Sequence, residues 1–359
     1  MGIQLELIEV MQNVQKELSL LFKENGMKRK GMGIFGDLFY NEFNNYLTNG
    51  GKRIRPFLVI TAFEAVGGDP SKGNIARASL AIELLHNGSL FHDDVIDKDE
   101  TRRGKPSFHV VFRDIFAKKK NDSANKSHDF GEAMAIFAGD LCFPFAIESI
   151  IQSGFPPELS LKALHAFTEA FKDVIDGVII ETGDTIEPDS SEENYNLMVH
   201  LKTGALIRKA VEIGAILGQG TESQVKALTD FCESIGRAFQ IQDDILGIFG
   251  DPEEIGKPVG GDIRENKQTI LRIYAMKNGT KKQIKRLTQL MGNDDVTQKE
   301  LEEVRTIFKE TGSLDYSLNL IQEATECARN SLEIADPPLK NEPKQKLIAL
   351  ANYLSDRKK

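Results

Sequence analysis

The chain has no tryptophan, only 3 cysteines, and 12 prolines in 359 residues. Each shortage excludes something. Cys142, Cys232 and Cys327 lie far apart without ligand-like spacing, which excludes a disulfide framework and a cysteine zinc site and leaves buried thiols in a reducing compartment. The prolines spare Ser71 to Lys105, Asp189 to Asp251 and Val259 to Ala335, so there is room for many long helices and an all-α fold is expected. No apolar run reaches the roughly 20 residues that span a bilayer, and the first residues lack a basic-then-apolar signal pattern. No integral membrane segment is expected, and the location implied is cytoplasmic. Positive charge is short too: a net charge of -9 argues against a nucleic-acid partner, which requires a basic face. An anionic substrate would have to be met by local cationic clusters and metal.

What is present is mostly helical pattern. Ile3 to Phe22 carries an apolar stripe through Leu7, Val14, Leu18 and Leu21, and Asp37 to Leu47 forms a second helix beyond the loop Gly26 to Gly36. Phe57 to Val66 and Ile75 to Leu90 flank the turn Gly67-Gly68-Asp69-Pro70. Gly131 to Ser153 is apolar, contains Gly139-Asp140 and should kink at Pro144; Leu159 to Asp184 and Asn194 to Gly218 follow. Lys118 to His128 has almost nothing to bury and is expected to be a mobile surface loop. From Thr269 onward the chain reads as amphipathic helices without site-like clusters, ending in the basic tail Asp356 to Lys359. No internal repeat with a fixed period is found.

Two acidic stretches carry chemistry. The apolar helix ending near Leu90 leads into His92-Asp93-Asp94-Val95-Ile96-Asp97, where Asp93 and Asp97 are one helical turn apart on the same face. Two carboxylates that close repel unless a hard divalent cation lies beside them; magnesium takes oxygen ligands and keeps positions open for phosphates. Arg102, Arg103 and Lys105 follow, and guanidinium binds phosphate as a bidentate fork. The second stretch, Phe239-Gln240-Ile241-Gln242-Asp243-Asp244, repeats the logic on a helix that begins near Ala227 and is expected to end at the aspartates, where the helix dipole disfavours them without a cation. A glycine-rich loop with Lys257 and Lys267 comes next and can line or cover a site. Further basic residues stand in Gly51-Lys52-Arg53-Ile54-Arg55-Pro56, a cluster at a helix start suited to an anion.

These motifs, with Arg102-Arg103-Gly104, Gly139-Asp140, Lys202-Thr203 and Gly256-Lys257 to Lys267, resemble those of the all-trans polyprenyl diphosphate synthases, the family that includes farnesyl and geranylgeranyl diphosphate synthases. The resemblance runs from about Asn49 to Lys267. It implies a single domain over 1–359 with a helical carboxy-terminal part from 268, folded as one bundle of long helices around a central cavity and usually paired as a homodimer. It implies magnesium, three ions per site, with Asp93, Asp97 and Asp243 as ligands and Asp94 and Asp244 supporting them. Arg102, Lys202 and Lys257 would grip the allylic diphosphate, with Thr203 alongside and Lys267 a further contact. Lys52, Arg55, His86 and Arg103 would hold isopentenyl diphosphate, and Phe239 and Gln240 would line the cavity near the cation that forms.

The implied reaction is ionisation of the allylic diphosphate, attack by the isopentenyl double bond, and loss of a proton. Two departures stand out: Val178 and Glu181 replace a Gln and an Asp common in the family, and Gly247 replaces a third aspartate. Leu85, Gly88 and Ser89 lie on the helix face below Asp93, where each isoprene unit matches a turn of about 5.4 Å. The small Gly88 and Ser89 should let a growing chain pass, which implies a product of geranylgeranyl length or longer. A class I terpene cyclase would lack the Gly51 to Pro56 cluster and would carry an Asn-Ser-Glu triad that this sequence does not show. A non-catalytic partner subunit would not be expected to keep both acidic pairs and the basic clusters.

Overall fold

The computed structural model describes residues 3–28, 31–120, 124–184, 186, 190–251, 259–293 and 295–355. The fold is all-α, as the proline spacing indicates. The only strands among the described residues are a short ribbon, β1 (Thr101–Arg102) against β2 (Lys105–Pro106). The chain groups into two compact units, one running to Phe167 and including Ile213–Gln219, the other holding Thr168–Glu212 and everything from Gly220.

The first unit contains α1 (Ile3–Lys28), α2 (Gly33–Thr48), α3 (Ile54–Ala65), α4 (Ile75–Ile96), α5 (Phe108–Lys120) and α6 (Ala124–Ile151). Its centre is α4. Asn74 starts it by accepting the Arg77 N–H at 2.9 Å, and residues on all its sides are buried, including Ala78, Leu80, Ile82, Leu85 and Phe91. It packs on α6, α3 and α1. Beneath its last two turns lies a phenylalanine cluster: Phe91 meets Phe43 at 5.8 Å, Tyr46 at 4.1 Å and Phe108 at 5.0 Å between ring centroids. Burying such rings is worth about 1.5–3 kcal/mol each, enough to fix where α4 ends.

Two expectations are corrected in this unit. Lys118–Lys120 form the last turn of α5, and 124–128 already belong to α6, so little of the expected loop remains among the described residues. Lysine is a good helix former and its charge is favourable at a helix carboxy-terminus, which outweighs the lack of anything to bury. Secondly, α6 is long and apolar enough to cross a membrane by length and composition, although it contains Asp140 and Pro144. One of its faces is buried on α4 and α5.

The second unit is built on α10 (Glu222–Phe249), which opens with a reciprocal Thr221–Gln224 capping box. Its Ile241, Ile245 and Ile248 enter a core with Leu271, Leu287, Val304 and Phe308. That burial carries the helix past Asp243 and Asp244 to Phe249, which corrects the sequence expectation that it ends at the aspartates: they sit inside it. Also in this unit are most of α7 (Pro157–Gly183), α8 (Glu192–Val199) and the first part of α9 (Ala205–Leu217). Between α8 and α9 the expected continuous helix Asn194 to Gly218 is interrupted by a π turn, His200–Gly204.

Candidate active site

The first acidic motif divides by burial. Asp93 lies in the last turn of α4 and Asp97 caps it, its N–H donating to the Asp93 carbonyl at 2.8 Å. Asp93 is half-buried and Asp97 exposed, whereas Asp94 is only 1% exposed. Asp94 accepts from Tyr46 Oη at 3.0 Å and Arg102 Nε at 2.6 Å, and Arg102 also reaches Asp99 at 2.8 Å. Burial pushes the Asp94 carboxyl up, and Arg102 and Tyr46 pull it back. Burial, then the adjoining Asp94, holds the Tyr46 hydroxyl far above an ordinary phenol. Gly139 is explained by His92: a Cβ there would come 2.2 Å from His92 Nε2, which also lies 3.5 Å from Asp140.

The ribbon separates the two arginines. Arg103 and Gly104 both have positive φ, 53° and 72°, as a tight primed hairpin turn requires. Arg102 consequently faces Asp94, while Arg103 donates to the Asn49 carbonyl at 2.9 Å and to Asn87 Oδ1 at 3.4 Å. Beside Arg103, Arg53 forms a buried ion pair with Glu83 and donates to the Leu47 carbonyl at 2.6 Å. Asn87 donates to Glu83 Oε1 at 3.1 Å. Arg55 lies within the same field, lowered to about 10 first by burial, with Glu83 opposing and Arg103 adding to the shift, and its Nε is buried without a hydrogen-bond partner. His86 is held well below its ordinary value by burial and by Arg55, Arg103, Arg102 and Arg53, so it is neutral and offers an N–H without a further charge. Lys52 is exposed at the rim. Arg53 is buried, Arg55 half-buried and Arg103 exposed, and against the single Glu83 they leave positive charge in excess, which an anion would balance.

The chain-length residues need one correction. Leu85 is fully buried, and Ser89 is half-buried with Oγ donating to the His86 carbonyl at 2.9 Å. Gly88 does not face open space: a Cβ there would meet Phe143 at 3.0 Å, Cys142 at 3.1 Å and the Gly139 carbonyl at 3.2 Å. Its smallness serves the close approach of α4 and α6.

The second motif repeats the division. Asp243 is exposed and Asp244 buried. Asp244 accepts from Tyr195 Oη at 2.7 Å and Gln240 Nε2 at 2.9 Å, and Gln240 Oε1 accepts from Thr203 at 2.7 Å. Burial first, then Asp262 and Asp243, push Asp244 up to about 8. Phe239, half-buried, precedes Gln240. Lys202, on the π turn, forms an ion pair with Glu181, one of the two departures from the family pattern. Val178 is half-buried, and it is its neighbour Gly177 that meets the backbone of Lys202. Gly247 is explained by Asp262: a Cβ at 247 would lie 2.6 Å from Asp262 Oδ2, so the carboxylate of Asp262 occupies the space beside that glycine. Lys267 reaches Asp262 at 3.5 Å and Glu265 at 2.8 Å; burial opposes its charge, but the two carboxylates outweigh it and hold the ammonium protonated. Lys257 and the tail Asp356 to Lys359 lie outside the described residues.

Tyr46, Tyr195, Glu83 and Asp262 were not found from sequence. Tyr46, Tyr195 and Glu83 act through contacts between distant positions and belong to no short charged motif, while Asp262 stands among other charges in the stretch Gly256-Lys257 to Lys267. Among the described residues no group of three or more His, Cys, Asp or Glu is arranged to hold a metal by itself. The oxygen-only pairs fit magnesium nonetheless, because it is commonly bound by one or two carboxylates together with substrate phosphates.

Comparison with known proteins agrees over nearly the whole chain. The family described as Polyprenyl synthetase matches residues 37–308. A short chain isoprenyl diphosphate synthase of Methanothermobacter thermautotrophicus is 36% identical over 311 residues, covering 87% of this chain and 88% of that protein. A geranylgeranyl diphosphate synthase of Saccharolobus solfataricus is 33% identical over 315 residues, 87% and 88% of the two chains. The crystal structure of a geranylgeranyl pyrophosphate synthase from Corynebacterium glutamicum, complexed with isoprenyl diphosphate and magnesium, superimposes with a TM-score of 0.91 at 26% identity, covering 97% of this chain and 99% of that one. With one family description spanning both acidic motifs and the basic clusters, and relatives matched along most of their length, the chain belongs to the polyprenyl synthetase family.

Proposed function

We propose that the protein is a trans-prenyltransferase that joins isopentenyl diphosphate to an allylic diphosphate, as one polyprenyl synthase domain over the whole chain. The observation that carries this reading is the surplus of positive charge around half-buried Arg55, exposed Arg103 and neutral His86, which suits a diphosphate. Lys52, Arg55, His86 and Arg103 bind the isopentenyl diphosphate. Arg102, Lys202, Lys257 and Lys267 serve the allylic diphosphate, with Thr203 and Gln240 beside them. Asp93, Asp97 and Asp243 hold three magnesium ions, which when bound neutralise the leaving diphosphate as Lewis acids.

The protein's own groups do the rest. Arg102, set between Asp94 and Asp99, presents a guanidinium of fixed orientation to the departing phosphate oxygens. The allylic carbon–oxygen bond breaks, the isopentenyl double bond attacks the cation, and a proton leaves the new chain; no protein nucleophile is needed. Gln240 is held at both ends by Thr203 and Asp244, so its carboxamide cannot turn as charge develops nearby. The product is geranylgeranyl diphosphate or longer, in keeping with the small Ser89 before the motif. The enzyme acts in the cytoplasm as a homodimer, and the exposed face Phe137, Pro144, Ile147 and Ile151 of α6, spaced at helical intervals, is the surface that pairs.

Incubating purified protein with isopentenyl diphosphate, an allylic primer and magnesium, then sizing the products, tests this. Products of 20 carbons or more are expected, and no condensation with any primer would refute it. Because Gly88 is needed for packing, Ser89→Phe is the cleaner probe of chain length, with shorter products expected.

A further inference from the structure

The π turn His200–Gly204 is held from two sides. On one side Lys202 pairs with Glu181 and Thr203 donates to Gln240. On the other is a network the reaction does not use. His200 Nδ1 lies 2.7 Å from Glu233 Oε1 on α10, and Arg208 Nη1, on α9, lies 2.6 Å from His200 Nε2 and 3.0 Å from its Nδ1. Arg208 also donates to Asp173 on α7 at 2.9 Å and to Glu233 Oε2 at 3.4 Å. A carboxylate only accepts, so Nδ1 carries the proton given to Glu233, while the Arg208 guanidinium lies against both ring nitrogens. The imidazole is held between a carboxylate and a guanidinium.

The backbone closes the remaining directions. A Cβ at Gly177 would lie 2.6 Å from the Lys202 nitrogen, so α7 touches the turn through its glycine. At Gly204 a Cβ would lie 3.3 Å from the Val199 carbonyl. A π turn is rare and concentrated at functional sites. Relaxing it to α geometry would rotate the residues that follow by a large part of the roughly 100° between neighbours and so re-aim Lys202 and Thr203.

We propose that His200, locked between Glu233 and Arg208, is a latch that holds this turn open and thereby places Lys202 and Thr203 for the allylic diphosphate. It is a positioning residue, and its link to that substrate rests on the role given to Lys202 above. The test compares His200→Leu, which keeps bulk but no donor or acceptor, with His200→Gln, which keeps one of each. In His200→Leu, amide hydrogen exchange across 199–205 should quicken about ten-fold or more. The KM for the allylic substrate should rise about ten-fold while that for isopentenyl diphosphate stays within about two-fold. His200→Gln should recover most of both effects. Unchanged exchange, or an equal rise in the two KM values, overturns the latch. A wild type that makes no product, with exchange still quickened in His200→Leu, overturns the functional reading and leaves the latch standing. Should His200→Leu not fold, Glu233→Gln is read by the same two measurements, with a shift of about three-fold expected in each.

Discussion

The two acidic motifs are built alike and tuned differently. In each, the first aspartate is the more accessible, the second is buried, and a tyrosine from another helix donates to the buried one: Tyr46 to Asp94 and Tyr195 to Asp244. They differ in the second donor. Asp94 has the guanidinium of Arg102, whereas Asp244 has only the neutral carboxamide of Gln240 and faces Asp262 besides. The first motif is electrically complete in itself, and the second carries a carboxyl that rises to about 8. A cation is therefore of more electrostatic consequence to the second motif than to the first.

The comparison can be broken in several places. The largest effect belongs to the outer aspartates: Asp93→Ala and Asp243→Ala should each lower kcat by about 10²–10³ in a condensation assay, the scale of losing one preorganised electrostatic contact. Next is Arg102→Leu, which leaves Asp94 buried without its counter-charge and should cost about 3–5 kcal/mol in denaturant unfolding. Its neutral counterpart, Gln240→Leu, should cost only about 1–3 kcal/mol. Equal losses in these two would erase the asymmetry. Tyr46→Phe and Tyr195→Phe each remove one bond to a buried carboxyl and should match one another at about 1–2 kcal/mol. The smallest effect sharpens the contrast by pH. The folded value of Asp244, about 8, lies above the ordinary 3.8, so its contribution to stability is intact below the lower value and is lost as pH rises through the upper one. Without magnesium, Asp244→Asn should thus raise the unfolding midpoint more at pH 8 than at pH 5, by a few degrees at most, while Asp94→Asn should lower it at both.

The acidic pairs, the basic clusters and the all-α class were legible in the sequence because each rests on local spacing: Asp93 and Asp97 one turn apart, cations within a few positions, long stretches without proline. What stayed hidden depends on contacts between distant positions. Tyr46 reaches Asp94 across 48 residues and Tyr195 reaches Asp244 across 49, with no motif at either tyrosine. The π turn has no signature in His200-Leu201-Lys202-Thr203-Gly204 and depends on Gly177 and Glu233 from other helices. Gly88 was visible, but its reason was not: a glycine on a helix reads equally as open space below a site or as close packing on a neighbour, and the Phe143 and Cys142 side chains decide for packing. Asp262 was passed over as one charge among many in a loop, yet Gly247 marks the place it fills.

The division of labour within each pair is tested most directly by the magnesium dependence of condensation in four variants, Asp93→Asn, Asp94→Asn, Asp243→Asn and Asp244→Asn. Substituting the outer aspartates should raise the magnesium concentration needed for half-maximal rate at least about ten-fold, or abolish turnover. Substituting the inner ones should leave that concentration within about two-fold of wild type while lowering the rate. The same magnesium shift in all four variants, or a larger one in the inner pair, would contradict the account.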